Sequence, residues 1–90
     1  MKLIRWLPHA RKTAASREIS PNEVEKTIVS PDSIVPGRSP RRIFMRRYSD
    51  ETLKTDMLLR VIVEETADEF VIVTLYKTSK FKKYESAKRS

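Results

Sequence analysis

Residues 57–78 read MLLRVIVEETADEFVIVTLYKT, and this stretch decides the fold. Two β-branched runs flank a short acidic turn. Leu59, Val61 and Val63 alternate along the first run, and Val71, Val73 and Leu75 along the second. Alternation of period two over this length is the pattern of half-buried strand. A three-residue loop, Thr66-Ala67-Asp68, sets Val63 opposite Val71 and Val61 opposite Val73, so that all six apolar residues share one face. A four-residue loop slips the pairing by one and carries Arg60 in among the valines, so the pattern favours the shorter loop. The loop has no glycine, which makes Asp68 the candidate for any left-handed backbone conformation there. The opposite face carries Leu58, Arg60 and Ile62, then Phe70, Ile72, Thr74, Tyr76 and Thr78. It is apolar near the turn and rich in arginine and hydroxyls away from it. Such a face is either an ordinary solvated surface of strand-favouring residues or a core at one end with a site at the other.

Upstream, Arg41 to Tyr48 reads as a further strand, with Ile43 and Met45 on one face and Phe44, Arg46 and Tyr48 on the other. Ser49 to Leu53 forms the turn into the hairpin. Pro31 to Pro40 is a connector with three prolines and the only glycine, Gly37, in which Ser33-Ile34-Val35 pairs briefly. Ser20-Pro21-Asn22-Glu23 is a capping box with proline at the first helical position, and Ile19 and Val24 occupy the hydrophobic-staple positions. The helix it starts runs through Val24, Ile28 and Val29 and stops at Pro31. Pro8 fits the first position of an earlier helix, PHARKTAASRE. Its N-cap, Leu7, has no side-chain oxygen, so the amides of His9 and Ala10 are left to water or an external anion. Met1 to Leu7 reads as a short strand. From Lys80 the chain is basic and polar, with Phe81 and Tyr84 as anchors. The expected architecture is an α+β domain of order β-α-α-β-β-β, two N-terminal helices packed on an antiparallel sheet of three to four strands. One domain spans 1–84, and 85–90 form a basic, frayed tail.

The chain has 90 residues, no cysteine and one histidine, so disulfides, thiolate metal sites and multi-histidine sites are excluded, and no cofactor is expected. No apolar run approaches the ~20 residues of a membrane span, and MKLIRWLP lacks the apolar core and cleavage site of a secretory signal, so a cytoplasmic location is expected. The net charge of +7 points to polyanion partners, nucleic acid first and an acidic protein second. Arg38, Arg41, Arg42, Arg46 and Arg47 crowd one segment, and Lys77, Lys80, Lys82 and Lys83 another, whereas Glu64, Glu65, Asp68 and Glu69 gather at the hairpin turn. One end of the hairpin is therefore expected to be negative and the remote end positive. Calcium at the acidic end has no glycine-containing ligand loop to support it.

His9-Ala10, Arg17, Ile19-Ser20, Val24, Pro31-Asp32, the basic strand, the two valine-rich strands and a closing VTLYKTSKFKKY follow one another over roughly residues 4–84. In that order and spacing the chain resembles a bacterial family of domains of unknown function related to the RelE/BrnT-type toxins of the barnase–EndoU–colicin–RelE group. The resemblance implies a RelE-like fold. It also implies metal-independent endoribonuclease chemistry of the mRNA-interferase type in some relatives, held in check by a cognate antitoxin. Relatives tend to carry a histidine in the first helix and basic or hydroxyl residues on the sheet. These are matched here by His9, by Arg46 or Arg60, and by Tyr76, Thr78 or Ser79.

Metal-free RNA cleavage needs a base for the 2′-hydroxyl, an acid for the leaving 5′-oxygen and cations for the phosphorane. His9 is the one side chain with an unperturbed pKa near neutrality, and a helix N-terminus disfavours its cationic form. Arg46 and Arg60 suit a bidentate phosphate clamp, and Tyr76 and Thr78 suit orienting the phosphate or donating protons. The catalytic candidates are His9, Arg46, Arg60, Tyr76 and Thr78. The nucleic-acid-binding candidates are Arg38, Arg41, Arg42, Arg47, Lys77, Lys80, Lys82 and Lys83. Bland readings stand beside these: a helix-cap histidine, and arginines that guard a strand edge against aggregation. Two other functions fit the same residues. One is a non-catalytic RNA- or DNA-binding module, in which Tyr48, Tyr76, Phe81 and Tyr84 stack between cations. The other is a basic interaction domain for an acidic protein such as an antitoxin.

Overall fold

The computed structural model describes residues 2–81. Its elements run β1 (Leu3–Trp6), α1 (Pro8–Ser16), α2 (Pro21–Val29), β2 (Ser33–Pro36), β3 (Arg41–Asp50), β4 (Thr55–Glu65) and β5 (Glu69–Thr78). Lys82, Lys83, Tyr84 and the tail expected over 85–90 lie outside the described residues. The class is α+β and the opening β-α-α-β is as read. The sheet, however, has five strands in the order β1-β5-β4-β3-β2, and it is mixed rather than antiparallel. β2 to β5 form an antiparallel meander, while β1 lies parallel to β5, with Ile4 beside Phe70 and Trp6 beside Ile72. The reason is topological: α1 and α2 carry the chain across one face, from the β1 edge to the β2 edge. Periodicity in a four-residue strand reports its faces, not its partner or direction.

The hairpin register also differs from the expected one. Thr66 N donates to Glu69 O at 2.9 Å, so only Ala67 and Asp68 lie in the turn. Thr66 Oγ1 accepts from the amides of Asp68 and Glu69, at 3.3 and 3.0 Å. Asp68 is not left-handed; among the described residues the non-glycine residues with positive φ are Glu18 (55°) and Lys54 (57°). Val63 pairs with Ile72, but Ile62 pairs with Thr74, so Val73 is an extra residue in a β-bulge. A bulge changes the phase of the strand that carries it. Phe70, Ile72 and Leu75 therefore join Leu59, Val61 and Val63 beneath the helices, in place of the expected Val71 and Val73. Thr74, Tyr76 and Thr78 stay on the other face, across from Ile62, Arg60 and Leu58.

The main core lies between this face and the helices, and adds Trp6, Ala10, Ala14, Ile19, Val24, Ile28, Phe44, Tyr48 and Met57. Ala10 and Ala14, four apart on one helix face, let α1 lie close against β5. A smaller cluster of Val35, Met45 and Leu58, flanked by Ile43 and Phe81, occupies the other face. α2 begins where the sequence puts it, and Ile19 and Val24 share the core as a staple would. The capping box itself does not form. Ser20 makes no side-chain cap bond, and Glu23 turns to Arg46 instead. Ser20→Ala is therefore expected to cost well under the ~1 kcal/mol typical of a lost N-cap, read as a small shift of the urea midpoint.

The expected charge poles are largely cancelled. The turn carboxylates meet cations brought in by neighbouring strands: Arg41 Nε lies 3.0 Å from Glu64, Arg42 3.4 Å from Glu65 and Arg5 3.0 Å from Glu69, and Lys2 also pairs with Glu65. The antiparallel β3–β4 register places Arg41 opposite Glu64, which linear separation along the chain conceals.

Candidate functional site

Two polar clusters occupy opposite faces of the sheet. On the face away from the helices, Arg60 of β4 stands opposite Tyr76 of β5. Arg60 Nη1 donates to the Tyr76 hydroxyl, and the guanidinium carbon lies 5.4 Å from the ring centroid. Both side chains are half-buried. Thr74 and Thr78 flank Tyr76 on the same face. Toward β3, Met45 is opposite Arg60 and Arg47 opposite Leu58, with the Arg47 guanidinium 4.3 Å from the Phe81 ring centroid. Met45 and Leu58 make an apolar floor, and two arginines, two aromatic rings and two threonine hydroxyls stand around it. A planar guanidinium beside hydroxyl donors matches the geometry of a phosphate, and aromatic faces accept a base.

On the helix side, the far end of β3 holds a buried ionic cluster. Asp50 is 4% exposed, yet it is charged and fully engaged. Its Oδ2 accepts from Lys77 Nζ at 2.6 Å and from the Tyr48 hydroxyl at 2.8 Å, and its Oδ1 accepts from Leu53 N at 2.9 Å. The Lys77 hydrogen bond, aided by Leu53 and Tyr48, lowers the Asp50 carboxyl to about 2 against the opposing effect of burial. Burial, then the bond to Asp50, raises the Tyr48 phenol well above its usual range and keeps it protonated. Next to them Arg46 pairs with Glu23 of α2, while its Nε is buried without a hydrogen-bond partner among the described residues. A cavity of about 220 Å³ adjoins the cluster, with Glu18, Glu23, Asp50 and Glu51 in its wall.

Asp50 titrates below its ordinary value of 3.8, so its contribution to stability is complete above that pH and is lost as pH falls toward 2. Glu65, lowered mainly by its hydrogen bond from Lys2, adds a loss of the same sign. The thermal midpoint is expected to fall steeply between about pH 4 and pH 2, and Asp50→Asn to flatten that limb in a pH series of melts.

The sheet separates the residues singled out from sequence. Arg60, Tyr76 and Thr78 come together, with Arg47 alongside. Arg46 faces the helices and is engaged by Glu23. His9 lies in the first turn of α1, exposed on the helix side, with Nε2 3.5 Å from Thr13 Oγ1. Lys77 is only 12% exposed and points at Asp50, which takes it out of reach of a polyanion. Arg41 and Arg42 are half-exposed in ion pairs with Glu64 and Glu65, and Arg38 and Lys80 are exposed. Asp50 and Glu23 were not among the candidates. The alternation Phe44, Arg46, Tyr48 carries on to Asp50, and following it two residues further would have placed that carboxylate on the buried face.

A profile described as a domain of unknown function, DUF4258, matches residues 6–77. The chain belongs to this family. No curated protein and no solved structure matches it. The matched span of this DUF4258 domain runs from the end of β1 to Lys77 of β5, and includes both helices, Arg60, Tyr76 and the Asp50 cluster. Among the described residues, no helix of the domain is long and apolar enough to cross a membrane.

Proposed function

We propose that this DUF4258 domain acts on RNA as a metal-independent endoribonuclease related to the RelE/BrnT-type toxins, with the Arg60–Tyr76 pair as its phosphate centre. The observation that carries the reading is the guanidinium held against the phenol across β4 and β5, with Thr74 and Thr78 on either side. In the proposed step the 2′-oxygen attacks the adjacent phosphorus, the bond to the 5′-oxygen breaks, and a 2′,3′-cyclic phosphate and a 5′-hydroxyl result. Arg60 balances the charge that builds on the phosphorane, Tyr76 gives its phenol proton to the leaving 5′-oxygen and regains one from the 2′-hydroxyl through water, and Thr78 orients the non-bridging oxygens. His9 lies on the other side of the sheet and has no part in this step. RNA as substrate fits a cytoplasmic site of action.

The placement of His9 favours a second reading, RNA binding without cleavage, because the side chain best suited to proton transfer at neutral pH is not on the phosphate face. Labelled total RNA incubated in EDTA with the parent, His9→Ala and Tyr76→Phe separates the two. The nuclease reading expects cleavage by the parent, near-parental cleavage by His9→Ala, and a loss of about a hundredfold or more in Tyr76→Phe. Intact RNA with a salt-sensitive mobility shift supports the binding module. Loss of cleavage in His9→Ala alone moves the chemistry to α1, and neither cleavage nor binding removes both readings.

A further inference from the structure

β2 is one of the two edge strands of the sheet, β1 being the other, and among the described residues no strand lies beyond it. Gly37 N donates to Arg41 O at 3.1 Å, and alternation from that pair turns the backbone of Ser33 and Val35 toward β3. The Ile34 N–H and C=O and the Pro36 C=O then point outward. Pro36 has no N–H to offer and sits at an edge position that tolerates it. The edge also carries apolar surface: Ile34 is 40% exposed, and Val29, at the end of α2, is 68% exposed. One depression of about 330 Å³ is lined by Ile34, Val35, Pro36 and Arg42, and another of about 360 Å³ adjoins Lys26 and Val29.

Positive charge outweighs negative beside this edge. Lys26 and Arg38 are exposed and in no ion pair among the described residues, and Arg42 keeps 46% of its side-chain surface despite its contact with Glu65. Two acids lie nearby and keep their charge, Glu25, which accepts from Trp6 Nε1 at 3.1 Å, and exposed Asp32, which accepts from Arg47 N at 2.9 Å; they are fewer than the three cations.

We propose that the β2 edge accepts an extended segment of an acidic partner protein as an added strand. The partner's backbone pairs with Ile34 and the Pro36 carbonyl, its apolar side chains cover Ile34 and Val29, and its carboxylates meet Arg38, Arg42 and Lys26. A second copy of this chain is a poor occupant. Two copies each carry a net charge of +7, and the like charges oppose association. A strand only four residues long gives few backbone bonds, so affinity depends on the side chains, and charge selects the partner. The inference does not rest on the RNA reading.

The test titrates the full-length, ¹⁵N-labelled chain with a synthetic hexapeptide of alternating glutamate and valine, and with its lysine–valine counterpart. The expected result is binding of the glutamate peptide alone, with slowed exchange of the Ile34 amide. Affinity is expected to fall tenfold or more in Ile34→Pro, which removes only an outward donor, and in Arg38→Glu/Arg42→Glu. Ile34→Ser, which removes the apolar contact at an exposed position without changing the charge, serves the same purpose if the proline variant does not fold. Binding that is insensitive to Ile34→Pro and Ile34→Ser overturns the proposal in favour of charge adsorption alone. Protection of Ile34 that grows with protein concentration and needs no peptide overturns it in favour of a second copy. No binding of the glutamate peptide overturns it outright.

Discussion

Asp50→Ala is expected to destabilise the fold by about 3–5 kcal/mol, the cost of breaking a buried ion pair from one side. The side chain is 4% exposed and holds three partners at once: Lys77, Tyr48 and the Leu53 amide. Removing it leaves the Lys77 ammonium, on a side chain 12% exposed, without its carboxylate, and leaves the Tyr48 phenol without its acceptor. It also unties the turn into β4, because Leu53 N loses its bond. A domain of this size has a total stability on the order of 5–15 kcal/mol, so the variant should be partly unfolded at physiological temperature. Lys77→Met should cost less, since Asp50 keeps the Tyr48 hydroxyl and the Leu53 amide. The double variant Asp50→Asn/Lys77→Met should recover much of the loss, because no buried charge remains uncompensated. Urea unfolding of Asp50→Asn, Lys77→Met and the double completes the cycle. A cost below about 1 kcal/mol for Asp50→Ala would mean that the cluster behaves as a surface pair.

Arg60→Ala is expected to lower single-turnover cleavage of RNA by about a hundredfold or more, the scale on which a placed charge stabilises a transition state. Arg60→Lys should recover little of this. Lysine keeps the charge but lacks the planar fork that reaches both Tyr76 and a phosphate, and it does not stack on the ring in the same way. The folded state should survive in both variants, because Met45 and Leu58 already pack on their own beside Val35. Near-ultraviolet circular dichroism checks that point before kinetics are read. Parental cleavage by Arg60→Ala would remove this pair from the chemistry.

The two clusters differ in how visible they were in the linear chain. Arg60 and Tyr76 could be placed on one face by counting in twos, and the structure keeps them there in spite of the bulge. That happened because the bulge at Val73 corrects the phase: Thr74, Tyr76 and Thr78 stay across from Ile62, Arg60 and Leu58, while the apolar set shifts to Phe70, Ile72 and Leu75. Val71, Val73 and Leu75 looked like one face because nothing in FVIVTLY marks an extra residue; glycine is absent, and the β-branched residues suit either phase. The capping box failed for a similar reason. Glu23 has the right spacing from Ser20, but Arg46 on β3 offers it a stronger, charge-assisted partner.

The sequence by itself determined the α+β class, both helix starts, the strand alternation on β3 and β4, and the excess of positive charge. These are local properties, fixed by proline and cap positions and by the periods of helix and strand. Only the tertiary structure decided the parallel placement of β1, the bulge, the neutralisation of the turn acids by Arg41, Arg42, Arg5 and Lys2, and the division of His9, Arg46 and Arg60 between two faces. Each depends on which strand lies beside which, and that is set by long-range burial and pairing between residues far apart in the chain.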